Sequence, residues 1–171
     1  MAKKFYQWNR YWRPRGSDLL LRDNGFLFSP GKYNSHVLPF EKIADTPCLV
    51  LLGEPGMGKS SEMQRLHDTL ELSNSSDEKL ICNLNEVTTD FGLVDLVFNA
   101  PQFQEWQSSN HNLHLFLDSL DEGRLRVATI ADIIASRLAR LSTSRRSQLF
   151  LRIACTACAS TRRLKRILAP C

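Results

Sequence analysis

The segment Cys48-Leu49-Val50-Leu51-Leu52-Gly53-Glu54-Pro55-Gly56-Met57-Gly58-Lys59-Ser60-Ser61 decides how the rest of the chain is read. Its first five residues form an uninterrupted apolar run, the pattern of a strand buried on both faces of a parallel sheet. Gly53 to Ser60 then fit G-x-x-x-x-G-K-[ST], the pattern of a phosphate-binding loop. Glycines there let the backbone curl, so that successive N–H groups converge on phosphate oxygens. Met63, Leu66 and Leu70 recur at helical spacing. They predict a helix from Lys59 to about Leu72 whose positive dipole end faces the loop. In that arrangement the Lys59 ammonium reaches the β- and γ-phosphates of a nucleotide and the Ser60 hydroxyl ligates Mg²⁺. The nucleotide-binding set is then Gly53, Glu54, Pro55, Gly56, Met57, Gly58, Lys59, Ser60 and Ser61. Within it, Glu54 and Pro55 shape the loop without touching the reacting atoms.

Downstream, Lys79-Leu80-Ile81-Cys82-Asn83, Leu113 to Asp118 and Gln148 to Ala154 read as three further strands. Between them lie helical signals. Asp90 is placed to cap a helix carrying Leu93, Leu96 and Val97, and Pro101 interrupts it. Val127, Ile130, Ile134, Leu138 and Leu141 form an aliphatic stripe that reads as core. Trp106 and the set Phe91, Phe98 and Phe103 read as packing. Strands alternating with helices predict an α/β domain of three layers around a mostly parallel sheet. Only four strands can be placed.

Leu115-Phe116-Leu117-Asp118-Ser119-Leu120-Asp121-Glu122 supplies the second chemical element. An apolar strand ending in an acid is what a Mg²⁺-nucleotide site takes from a strand near the loop. Asp118 would hold the metal through water. Asp121 or Glu122, just past the strand tip, could orient or deprotonate a water beside the γ-phosphate. The catalytic set is therefore Lys59, Asp121 and Glu122, and the metal set Ser60 and Asp118.

These two elements together resemble the STAND class of P-loop NTPases and, within it, the NACHT type. That type shows an apolar strand, Asp, a small residue, one further residue and then Asp-Glu, as at 118–122. The resemblance spans residues 48–154. It implies an ATP-binding, Mg²⁺-dependent switch domain with slow hydrolysis, of the kind found in immune or anti-phage defence, where nucleotide exchange drives self-association. Members also carry a helical lid, a winged-helix element and sensor repeats, for which 171 residues leave no room. A truncated member is therefore implied, with self-association through the missing domains. The resemblance also implies one strand more than the four placed, so the sheet is expected to be incomplete at the C-terminus of the chain. A nucleotide-binding module without turnover, or a non-functional fragment, are the alternatives. After the fourth strand the class often carries a polar or arginine sensor of the γ-phosphate. Here Ile153-Ala154-Cys155 leads into Thr156-Ala157-Cys158, and the next arginine is Arg162.

Composition bounds the remaining readings. The chain is 43% hydrophobic and 23% charged, which excludes a disordered tail or a fibre as a description of the whole. No apolar stretch approaches the roughly 20 residues a bilayer span needs, and Met1-Ala2-Lys3-Lys4 lacks the apolar segment of an export signal. A cytoplasmic protein that does not contact the membrane is expected. Five cysteines, an odd number, read as reduced thiols, with Cys48 and Cys82 as small buried hydrophobes. Residues 1–123 carry 11 Lys/Arg and 17 Asp/Glu, whereas residues 124–171 carry 11 Lys/Arg and the single acid Asp132. No nucleic-acid module accompanies that excess, so the arginines read as a solvated helix face and a basic tail rather than a nucleic-acid surface. The organisation expected is a leader at 1–47, an NTPase core at 48–154 and a basic tail at 155–171. Within the leader, Leu19-Leu20-Leu21 and Phe26-Leu27-Phe28 are strand candidates around the Asp23-Asn24-Gly25 turn. His111 and His114, three apart, would lie on opposite faces of a strand and are not expected to share a metal.

Overall fold

Four apolar segments become the strands of one parallel sheet in the computed structural model, which describes residues 11–12, 37–72, 74–126 and 129–156. The chain divides into two units, Met1–Asp45 and Thr46–Cys171. In the first, strands β1 (Tyr11–Trp12) and β2 (Leu38–Pro39) pair antiparallel, and a 3₁₀ turn follows at Phe40–Lys42. Trp12 packs against Phe40 with ring centroids 6.0 Å apart. The strand candidates at 19–21 and 26–28 lie outside the described residues, as does the basic tail beyond 156.

The second unit holds β3 (Cys48–Leu52), β4 (Glu78–Asn83), β5 (Leu113–Asp118) and β6 (Leu149–Cys155), in the order β3-β6-β5-β4 and all parallel. All four strand tips therefore face one edge, and all four strand starts face the other. Helix α1 (Lys59–Thr69) follows β3. Helix α2 (Asp90–Leu93), a π-helical turn at Val94–Phe98 and α3 (Pro101–Ser108) separate β4 from β5. Helices α4 (Leu120–Arg126), α5 (Ile130–Ala139) and α6 (Thr143–Ser147) separate β5 from β6. The expected α/β architecture with a parallel sheet flanked by helices is what forms.

Alternation along the strands gives the sheet two unlike faces. Leu113, Leu115 and Leu117 of β5 join Leu149, Leu151 and Ile153 of β6 in one apolar core with Trp106, Ile130, Ile134 and Leu138. Ile130, Ile134 and Leu138 of the aliphatic stripe are thus core, as their spacing predicts; Leu141 is partly buried, and Val127 lies outside the described residues. On the opposite face, Arg152 is wholly buried, with its guanidinium 5.3 Å from the Phe116 ring centroid and 5.5 Å from that of Phe150. His114 stacks on Phe150 at 4.7 Å, and His67 of α1 meets Phe116 edge-on at 5.6 Å. Arg152 therefore departs from the reading of the downstream arginines as a solvated surface. A guanidinium between two phenyl rings keeps favourable electrostatic contact after leaving water.

Local chemistry corrects several boundaries. Thr89, not Asp90, caps α2: its hydroxyl accepts from the Gly92 N–H at 3.0 Å. Pro101 begins α3 at the first helical position, where its missing N–H costs nothing. Helix α1 stops at Thr69, and Lys79 Nζ donates to the final-turn carbonyls of His67 (2.9 Å) and Leu70 (2.7 Å). Phe98, Phe103 and Trp106 are buried, but Phe91 is 72% exposed and takes no part in the packing expected of it. Cys82 is buried, and burial pushes its thiol up to about 12. No helix among the described residues is long and apolar enough to cross a membrane.

Candidate functional site

The loop from Gly53 to Gly58 joins the tip of β3 to the start of α1. Gly56 has φ +80 and Gly58, the residue before α1, has φ +81. Both values lie in the left-handed region, where a side chain is strained, so the turn needs glycine at these points. The Met57 N–H donates to the Glu54 carbonyl at 3.3 Å and closes the curl. The first intrahelical bond runs from Glu62 N–H to Gly58 O at 3.0 Å. The amides before it have no acceptor within the helix, and with the dipole they make an anion-binding end. Glu54, Pro55, Gly56 and Met57 are exposed, as are Ser60 and Ser61, so the mouth of the loop is open to solvent.

Lys59 does not point out of this loop. Its Nζ donates to the carbonyls of Gly53 (2.7 Å) and Glu54 (2.9 Å). The ammonium thus ties together the carbonyls of the loop's first two residues, and its third N–H remains available to another acceptor.

Asp118 ends β5, two strands away from the loop across the same edge, about 10 Å at ordinary strand spacing. It pairs in register with Asn83 of β4. One residue beyond the Leu117–Ile153 pair, it lies beside Ala154, which in turn pairs with Leu51 of β3. Asp118 Oδ1 is buried and has no hydrogen-bond partner among the described residues. A carboxylate oxygen without a donor is costly in a protein interior, and a cation or its water shell is one way to answer it. Among the described residues no group of three or more His, Cys, Asp and Glu could hold a metal. Mg²⁺ on a nucleotide does not need one, because it keeps several waters and takes phosphate oxygens with one or two protein ligands. Ser60, exposed at the start of α1, and Asp118, at the tip of β5, carry oxygen atoms of the kind such an ion takes.

The turn after Asp118 is strained. Ser119 has φ 59, a left-handed value that costs a non-glycine residue about 1–2 kcal/mol, and such residues cluster at functional sites. Asp121 and Glu122 fall in the first turn of α4. They differ sharply. Asp121 Oδ2 accepts from both the backbone N–H and the hydroxyl of Thr156, the latter at 2.7 Å. Glu122 is exposed, and no hydrogen bond to its carboxylate is found among the described residues.

Set against protein-family models, curated proteins and solved structures, the chain matches none of them. What the site can do must therefore be argued from its own geometry.

Three features of this edge were missed by sequence reasoning. The Asp121–Thr156 contact joins residues 35 apart and depends on β6 lying next to β5. The Cys155 carbonyl accepts from the Gly53 N–H at 3.3 Å, tying β6 to the start of the loop. Gly123 packs so closely that an added Cβ would come within 2.7 Å of the Leu84 carbonyl oxygen. Of these, only the glycine directly following Asp-Glu was a signal open to a reader of the sequence. At the opposite edge, an open hollow is lined by His67, Asp68, Ser76 and Lys79. Its lysine is already committed to two carbonyls.

Proposed function

We propose that residues 48–154 form a P-loop NTPase domain that binds ATP with Mg²⁺ and hydrolyses it slowly, a switch domain of the STAND class, NACHT type. The observation that carries this reading is the buried, unanswered Oδ1 of Asp118 on the same sheet edge as a loop turned by two left-handed glycines into a helix N-terminus. One feature asks for a cation and the other for a polyanion. A crevice beyond the C-terminal ends of parallel strands is also where open α/β sheets bind ligands.

The residues would act by positioning and by charge. Loop amides and the Lys59 ammonium, through the N–H not donated to Gly53 and Glu54, hold phosphate oxygens. Ser60 and Asp118 hold Mg²⁺, which supplies charge neutralisation on the phosphates when bound. Glu122 is the acid left open to orient a water, since Asp121 is engaged by Thr156. That same engagement favours a second reading, a module that binds nucleotide without turning it over.

Titration of the protein with a fluorescent ATP analogue, with Mg²⁺ and then with a chelator, tests the binding proposal. Saturable binding that weakens at least tenfold on chelation is expected. Equal affinity in both conditions would remove the metal role from Ser60 and Asp118. Phosphate release from ATP separates the two readings: turnover that falls at least tenfold in Glu122→Gln supports hydrolysis, and binding without release supports the module.

A further inference from the structure

We propose that Asp121 is a positioning residue that holds the phosphate loop in place through a single peptide group. The Cys155–Thr156 peptide lies just past the tip of β6. Its carbonyl, that of Cys155, accepts from the N–H of Gly53, the first residue of the loop, at 3.3 Å. Its N–H, that of Thr156, donates to Asp121 Oδ2, and the Thr156 hydroxyl donates to the same oxygen at 2.7 Å. One planar unit is thus gripped from both sides. Because a peptide group is rigid, rotation that breaks one of these bonds also misaligns the other.

The strand order makes this bridge necessary. β6 separates β3 from β5, so the loop after β3 and the acidic turn after β5 do not adjoin directly. The tip of β6 is the material between them. Asp121 sits on a turn already fixed by the left-handed Ser119 and by the close approach of Gly123 to Leu84. A carboxylate on a fixed turn, accepting two donors from one residue, sets the height and rotation of the β6 tip. Gly53 inherits that setting. A change at the acidic turn would therefore be felt at the loop. A water-activating role asks for the charge of Asp121, whereas the positioning role asks only for its acceptor oxygen. Asparagine offers such an oxygen and alanine does not.

This inference rests on the nucleotide-binding reading for its consequence, but not for its test. The Gly53 amide reports on the bridge with no ligand present. Hydrogen exchange at that amide, followed by NMR, is expected to speed up at least tenfold in Asp121→Ala and to stay within threefold of the parent in Asp121→Asn. Thr156→Val, which keeps the peptide N–H but loses the hydroxyl, is expected to fall between them and serves if Asp121→Ala does not fold. Mg²⁺-ATP affinity is expected to follow the same order, with Asp121→Asn rescuing what Asp121→Ala loses. Unchanged Gly53 exchange in Asp121→Ala and Thr156→Val would overturn the proposal. So would Asp121→Asn exchanging as fast as Asp121→Ala. A parent that fails to bind Mg²⁺-ATP would sink the nucleotide reading alone, because the exchange result would still judge the bridge.

Discussion

The two edges of the sheet are built on opposite principles. At the base, where the strands begin, several polar groups are answered. Asp77 is buried and accepts from the Asn112 N–H (2.9 Å), the Asn112 side-chain amide (3.2 Å) and the Asn74 N–H (3.3 Å). Lys79 closes the end of α1, and Arg145 donates to the Trp106 carbonyl and the Gln148 side chain, each at 3.2 Å. At the tips, Asp118 Oδ1 lacks a donor among the described residues, Ser119 has a left-handed φ, and Lys59 is held by the loop's own carbonyls. Asp77 is a buried clamp at one edge, whereas Asp118 at the other is half-buried, with one buried oxygen that has no donor among the described residues.

Breaking the base should give the largest effect on stability. Asp77→Ala strands two backbone N–H donors and is expected to cost about 2–4 kcal/mol in chemical denaturation, with nucleotide affinity in the remaining folded protein unchanged. The pH profile sharpens this. Burial pushes the Asp77 carboxyl up, but the bonds from Asn112 and Asn74 outweigh it and leave it below its ordinary value of 3.8. The group is thus more acidic folded than unfolded. Its contribution is fully present above the ordinary value and is lost as pH falls through the depressed folded one. Acid unfolding of Asp77→Asn should show a weaker pH dependence in that window than the parent does.

Gly123, near the tips, is closely packed. Gly123→Ala places a methyl group 2.7 Å from a backbone oxygen and 3.0 Å from Ile130 Cδ1, and is expected to destabilise by about 1–3 kcal/mol. Asp118→Asn should do the reverse of Asp77→Ala. Stability is expected to stay within about 1 kcal/mol of the parent, or to rise, because the charge on a half-buried carboxylate with one unanswered oxygen is removed. Mg²⁺-dependent ATP binding is expected to weaken at least tenfold. The smallest effect belongs to Ser119→Gly, which relieves left-handed strain at some entropic cost and should stabilise by about 0.5 kcal/mol. A destabilised Ser119→Gly would show that the strain reading of that turn is wrong.

Much of this architecture was legible in the chain. The run Cys48–Leu52, the glycine spacing and the Met63–Leu66 period make β3, the loop and α1 readable, because each signal is local and all three agree. The parallel sheet followed from short apolar runs separated by helical periods. Asp118 was readable as an acid ending an apolar strand. What escaped depends on strand order or on very short elements. Helices α4 and α6, of seven and five residues, carry too few turns to show a period. The burial of Arg152 required knowing that β6 lies between β3 and β5. So did the commitment of Asp121 to Thr156, which sequence reasoning left level with Glu122. Phe91 shows the converse error, since an aromatic residue is not in itself evidence of a core.

The central claim is that the Gly53–Ser60 loop and Asp118 together hold a Mg²⁺-polyphosphate. Calorimetric titration of Mg²⁺-ATP into the parent protein and into Lys59→Ala tests it most directly. One-to-one binding in the parent, weakened at least tenfold in Lys59→Ala with both proteins folded, is the predicted result. No heat of binding to a folded parent, or equal affinity in the two proteins, would contradict it.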